Sequence, residues 1–208
     1  MLNAKTVSNG GGKTVDPLEI GTYPIRLAQV IDLGVQPRKP YKGEEKDPIQ
    51  MLWVTYEVTT EFMKDEDGND DTERPRWISE SFPFYNLSAD RAKSTARYLA
   101  LDPQQACEGN WDQLVGSAGA LTVVHNQAGD RTYANVGSVS PIMKGMTVEE
   151  LKNPPVVFSL DEPDLEVFES LPDFLQEKIK GNVNFEGSKL ATLLSGETVV
   201  ETEENPFG

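Results

Sequence analysis

The side chains best placed to do chemistry in this 208-residue sequence are aromatic and cationic, and they cluster. Tyr41 lies in a proline-punctuated basic loop with Arg38, Lys39 and Lys42. Arg74 and Arg76 precede Trp77, and Arg131 and Tyr133 stand two residues apart. Trp53 completes the set from the middle of an apolar stretch. Flat rings stack on nucleobases and cations follow phosphates, which is how single strands are held without sequence preference. These ten residues are the candidate binding set.

Reaction chemistry finds no comparable set. His125 is the single histidine, so a histidine triad or a two-histidine metal site cannot be built. Cys107 is the single cysteine, and no intrachain disulfide can form. Gly12-Lys13-Thr14 has the end of a phosphate-binding loop, but Val7 stands where its first glycine belongs. Asp65 to Gly68 breaks the spacing of a calcium loop. The expectation is a non-enzymatic protein with no catalytic residue, no metal and no cofactor.

The elements that must position the candidate residues are mostly strands. Alternation predicts strands over Ile20–Leu33, Ile49–Glu61, Arg74–Phe84, Ala118–Asn126 and Arg131–Val139. In the first, Tyr23, Ile25, Leu27, Ile31 and Leu33 share a face, broken by Gln29. In the second, Leu52, Val54, Tyr56 and Val58 face inward, leaving Met51, Trp53 and Thr55 on the other side. In the third, Ile78 and Phe82 oppose Trp77, Ser79 and Ser81, so both tryptophans belong to the outer face. Ala89–Ala100 reads as a helix capped by Ser88, with a shorter helix near Trp111–Val115. Three strands, a helix and two strands is the order of the OB-fold, a five-stranded barrel whose ligand surface includes strands 2 and 3.

Charge divides the chain. Residues 1–145 carry 15 Lys/Arg against 20 Asp/Glu, whereas residues 146–208 carry 4 against 14. Within the first block, Lys64–Glu73 alone holds six acids and one lysine, so the remainder is neutral. The net charge of −15 therefore belongs to one loop and the carboxyl-terminal third, and screening keeps its influence local. The expected organisation is a flexible lead at 1–15, a barrel at 16–145, a linker with short helices at 146–187, and a disordered acidic tail at 188–208. Asn153-Pro154-Pro155 reads as the linker, and Pro163 and Pro172 mark helix starts ahead of the apolar stripe Leu171, Phe174, Leu175 and Ile179. No apolar run nears the ~18 residues of a membrane span, and Met1–Val15 lacks the apolar stretch of a secretory signal.

The runs Gly21-Thr22-Tyr23-Pro24-Ile25-Arg26-Leu27, Trp53-Val54-Thr55-Tyr56-Glu57 and Pro75-Arg76-Trp77-Ile78-Ser79 resemble bacteriophage single-stranded-DNA-binding proteins. The strand pair around Val123-Val124-His125 and Tyr133-Ala134-Asn135-Val136 shares the resemblance, which spans about residues 20–140 and the last ten. It implies a barrel that coats single-stranded DNA during phage replication or recombination, in the cytoplasm of an infected bacterial host. The tail Glu203-Glu204-Asn205-Pro206-Phe207 is similar to the acidic Pro-Phe tip with which bacterial single-strand binders recruit replication proteins. Glu201, Glu203, Glu204 and Phe207 are accordingly the candidate partner-binding residues, although Gly208 removes the terminal carboxylate from the phenylalanine. Two rivals stand beside this reading: a virion or other interaction protein, and a carboxylate-dependent metal nuclease.

Overall fold

Strand β1 (Gly21–Gln36) is the centre of the structure, a computed structural model that describes residues 15–196. It pairs antiparallel with β2 (Ile49–Lys64), which in turn pairs with β3 (Asp70–Pro83). On its other side β1 has two neighbours. Gly21–Arg26 pairs with β4 (Ala118–Ala128), and Gln29–Ile31 pairs in parallel with the short β6 (Val156–Phe158). With β5 (Arg131–Ser140) bonded to β4, the order β3-β2-β1-β4-β5 curls into an antiparallel half-barrel.

Register shifts help to curl it. They interrupt the β1–β2 ladder at Leu27/Gln29 and Asp32/Gly34, and the β2–β3 ladder between Val58 and Met63. The first has a second effect. Because alternation has period two, one extra residue exchanges the faces of everything after it. Ile25 and Leu27 enter the interior of the half-barrel, as does Val30, whereas Ile31 and Leu33 face the opposite way into a second core. The five-residue face expected from Tyr23 to Leu33 is therefore split between two cores. At the next shift Gly34 has φ +73°, and a Cβ there would lie 2.8 Å from Asn182 and Leu160.

The first core joins Val54, Tyr56, Val58, Phe82, Leu121 and Val123 to helix α1 (Lys93–Leu101) through Tyr98 and Leu101. Trp111, beside a 3-10 turn at Asp112–Leu114, packs 5.6 Å from Phe82 and 5.8 Å from Tyr98 between ring centroids. Helix α1 starts at Lys93 rather than Ala89. The Asn86 side chain accepts the Ser88 N–H at 2.9 Å, so the chain turns there and Ser88 caps nothing. Past the helix, Asp102 accepts the N–H groups of Ala106 and Cys107 at 2.9 and 2.8 Å, and these bonds hold its carboxyl below the usual range.

The second core covers the other face of β1 and β2. Helices α2 (Leu165–Ser170), α3 (Asp173–Lys180) and α4 (Lys189–Ser195) contribute Phe168, Leu175, Ile179 and Leu190, packed with Phe158. Asp164 caps α2 and Pro172 immediately precedes α3, in keeping with the expected starts. Ser188 caps α4, with its hydroxyl accepting the Ala191 N–H at 3.1 Å, so Lys189–Ser195 is helix within the segment expected to be tail. Most of the expected lead, and the tail from residue 197 onward with Glu201, Glu203, Glu204 and Phe207, lie outside the described residues.

Arg97 of α1 spans from β3 to β5. Its guanidinium donates to Glu80 Oε1 at 2.7 Å and to the Gly137 carbonyl at 3.4 Å, with both charged side chains under a tenth exposed. Tyr56 donates its hydroxyl to the same Glu80 at 3.2 Å. Removing one partner of a buried pair strands the other charge. Glu80→Ala is expected to destabilise the fold by about 3–5 kcal/mol in urea unfolding, whereas Asp70→Ala, breaking the exposed Lys64–Asp70 pair, should cost less than about 1 kcal/mol.

Candidate nucleic-acid interface

Three residues stand in a row across the outer face of the sheet. Arg26 of β1 lies opposite Glu57 of β2, and Glu57 lies opposite Trp77 of β3. Glu57 has no solvent exposure. An ionised carboxylate in that position needs donors, and it has four. Trp77 Nε1 donates to it at 3.2 Å, the backbone N–H of Lys152 at 2.7 Å, the backbone N–H of Asn153 at 3.3 Å, and Asn153 Nδ2 at 2.7 Å.

Arg26 complements this from the carbonyl side. Its guanidinium donates to Glu149 O at 2.7 Å, Val148 O at 3.5 Å, Glu150 Oε1 at 2.8 Å and, across the sheet, Gly116 O at 2.8 Å. Residues 148–153 are thus a strap whose carbonyls are taken by an arginine and whose amides are taken by a glutamate. Asn153-Pro154-Pro155 is no free linker: Asn153 is bonded to Glu57, and Val156 immediately joins the sheet. Beyond it, Asp32 accepts from the Gly34 N–H at 2.8 Å and from the Gln50 amide, while burial pushes its carboxyl up.

The two tryptophans share the outer face, and their surroundings differ. Trp53 lies under α3, with its ring 5.4 Å and edge-to-face from Phe174 and its indole N–H given to Thr55 Oγ1 at 3.2 Å. It packs against the second core and offers no open face comparable to that of Trp77, which is 43% exposed. Beside Trp77 on β3, Arg74 pairs with Asp71 at 2.6 Å, and Arg76 donates to the Asp16 carbonyl.

Register also separates the candidate cations into two groups. Arg38, Lys39, Tyr41 and Lys42 occupy the exposed β1–β2 loop, where the Lys42 ammonium stands 5.4 Å from the centroid of the Tyr41 ring. That loop meets β2 at Ile49, eight residues before Glu57 and hence about 26 Å along the strand from Trp77. Arg131 and Tyr133, exposed at the start of β5, lie beyond the β4 end that pairs with Gly21. They share an end of the sheet with the β2–β3 turn and with Arg74. Alternation separates the other three: Trp77 shares the outer face with Glu57, whereas Arg76 stands opposite inward-facing Val58 and lines, with Arg74, a pocket beside Val15 and Asp16; the β1–β2 loop reaches neither.

Lys152 is a candidate that the sequence reading passed over. Its ammonium lies 3.4 Å from Glu73 Oε1, in a pair exposed on both sides. Such pairs are worth about 0–1 kcal/mol and are readily exchanged for another anion. Below the strap, Glu57, Phe62, Pro75, Glu149 and Leu151 help to line a cavity of about 430 Å³. Among the described residues, no three His, Cys, Asp or Glu side chains are grouped to hold a metal ion, and no helix is long and apolar enough to cross a membrane. No family model matches the chain, and no curated protein is similar enough to match it.

The different surroundings of the tryptophans give different expectations for truncation. Trp53→Ala removes a ring packed against Phe174 and should lower unfolding stability by about 2–4 kcal/mol. Trp77→Ala leaves Glu57 three donors and should cost less than about 1 kcal/mol by the same urea titration.

Proposed function

We propose that this protein binds single-stranded DNA without sequence preference, through an OB-type barrel, and that it acts in phage DNA replication or recombination rather than as an enzyme. The observation that carries the reading is Trp77. It is an exposed indole on the outer face of β2–β3, its edge fixed by Glu57, with Arg74 and Arg76 a few residues away on the same strand at the edge that leads to the other face. A ring held in one orientation loses little freedom when a base stacks on it, and the flanking cations suit a passing phosphate chain. The order of elements supports the OB assignment, with α1 between β3 and β4 and packed across the interior. So does the resemblance of residues 20–140 to phage single-strand binders.

Within this reading, Arg74, Arg76 and Trp77 form the principal contact, with Arg131 and Tyr133 at the same end of the sheet. Arg38, Lys39, Tyr41 and Lys42 form a second, separate contact in the exposed loop. Trp53 supports the face from beneath α3. Glu201, Glu203, Glu204 and Phe207 serve partner recruitment, toward phage or host replication proteins in the infected cell.

Fluorescence anisotropy of a dye-labelled poly-pyrimidine oligonucleotide, titrated with protein, tests the proposal. Trp77→Ala should weaken binding roughly 5- to 150-fold, following the ~1–3 kcal/mol of one base–aromatic stack. Arg74→Ala and Arg76→Ala should each lower the slope of log affinity against log salt by about 0.7 and weaken all sequences alike. Wild-type protein that leaves its oligonucleotide unbound at low salt would overturn the proposal and favour an interaction protein. Cleavage of the oligonucleotide with magnesium or manganese would favour the nuclease.

A further inference from the structure

We infer that the strap is itself part of the nucleic-acid interface: Lys152 is a phosphate contact delivered beside Trp77, and Glu57 is the residue that positions both. This rests on the DNA-binding reading above and adds residues to it from outside the barrel strands.

The geometry is specific. One carboxylate accepts the indole N–H of Trp77 at 3.2 Å and the backbone N–H of Lys152 at 2.7 Å. A stacking ring and the backbone of a cationic residue are therefore both within hydrogen-bond reach of a single buried group. The Lys152 side chain is left out of this clasp. That side chain is 44% exposed, and its ammonium reaches Glu73, four residues before Trp77 on β3. Glu73 is itself 79% exposed, so a phosphate can take the ammonium without uncovering anything buried.

Two alternatives fit the observations less well. A strap that lifts away on binding would have to release Glu57 from three strap donors and Arg26 from its strap carbonyls together. It would also uncover the Glu57 carboxylate to a polyanion. A strap that serves only as structure uses the Lys152 ammonium in nothing beyond one exposed pair with Glu73, since the clasp takes only the backbone of that residue. The strap stays closed, and its lysine faces the ligand.

The test compares four proteins by the anisotropy of a dye-labelled poly-pyrimidine oligonucleotide over a range of salt: wild type, Lys152→Ala, Trp77→Ala and Glu57→Gln. Lys152→Ala keeps its backbone N–H and should fold as wild type by circular dichroism. It should bind roughly three- to tenfold more weakly at low salt, with the salt slope lower by about 0.7. Glu57→Gln keeps one acceptor oxygen in place of two and should weaken binding as well. Adding Lys152→Ala to Glu57→Gln should then weaken it by less than Lys152→Ala does alone, because the lysine has already lost its place. Should Glu57→Gln fail to fold, Lys152→Glu replaces it and should weaken binding further than Lys152→Ala. Binding that Trp77→Ala weakens while both Lys152 variants retain wild-type affinity and slope overturns this inference and leaves the DNA-binding reading standing. Absence of binding by wild type overturns both.

Discussion

A buried carboxylate organises the outer half of this protein. Glu57 sits at the middle of β2 with no exposure to water, on the face that points away from the half-barrel interior. A charge placed there without partners would cost several kcal/mol, so the fold is completed only when donors arrive. One comes from the neighbouring strand, through Trp77, and three come from Lys152 and Asn153. The segment after the half-barrel is thereby held in one place on the sheet. Arg26, directly across the ladder, takes the carbonyl groups of the same segment.

With the strap fixed, the rest of the extension follows. Val156–Phe158 adds to β1 where β4 has left it, and α2, α3 and α4 then lay Phe168, Leu175, Ile179 and Leu190 over Ile31 and Leu33. The sheet consequently has a core on each side. One is plugged by α1 and fastened across β3 and β5 by Arg97; the other is covered by residues 156–195. What remains open on the β2–β3 face lies toward Trp77, because Trp53 is taken up by Phe174. The open part of this face is defined by where the extension stops.

The sequence was most legible where alternation ran unbroken. Leu52, Val54, Tyr56 and Val58 face one core as their spacing predicts, and the same spacing puts Trp53 and Trp77 together on the other face. It failed at β1, where an extra residue between Leu27 and Gln29 exchanges the faces without any glycine or proline to mark it. Helix α1 was found but begins late, because Asn86 competes for the turn that Ser88 was expected to cap. Arg74, Arg76 and Trp77 read as a cluster because they are neighbours in sequence, but alternation turns Arg76 to the face opposite Trp77. The distance between them and the Arg38–Lys42 loop was not, because it depends on pairing register. Lys152 carried no signal of its own. Its position comes from a backbone amide seeking a carboxylate far earlier in the chain, and side-chain patterns do not encode that.

Glu57 makes the strap a fixed part of the fold, and native-state hydrogen exchange at the backbone amides of Lys152 and Asn153 measures how firmly it is held. Both amides end on a carboxylate that water does not reach, so their exchange requires the clasp to open. Protection close to that of ladder amides such as Val54 and Tyr56 is expected, with its loss in Glu57→Gln. Exchange at both positions as fast as in the exposed loop at Lys42 and Gly43 would contradict it.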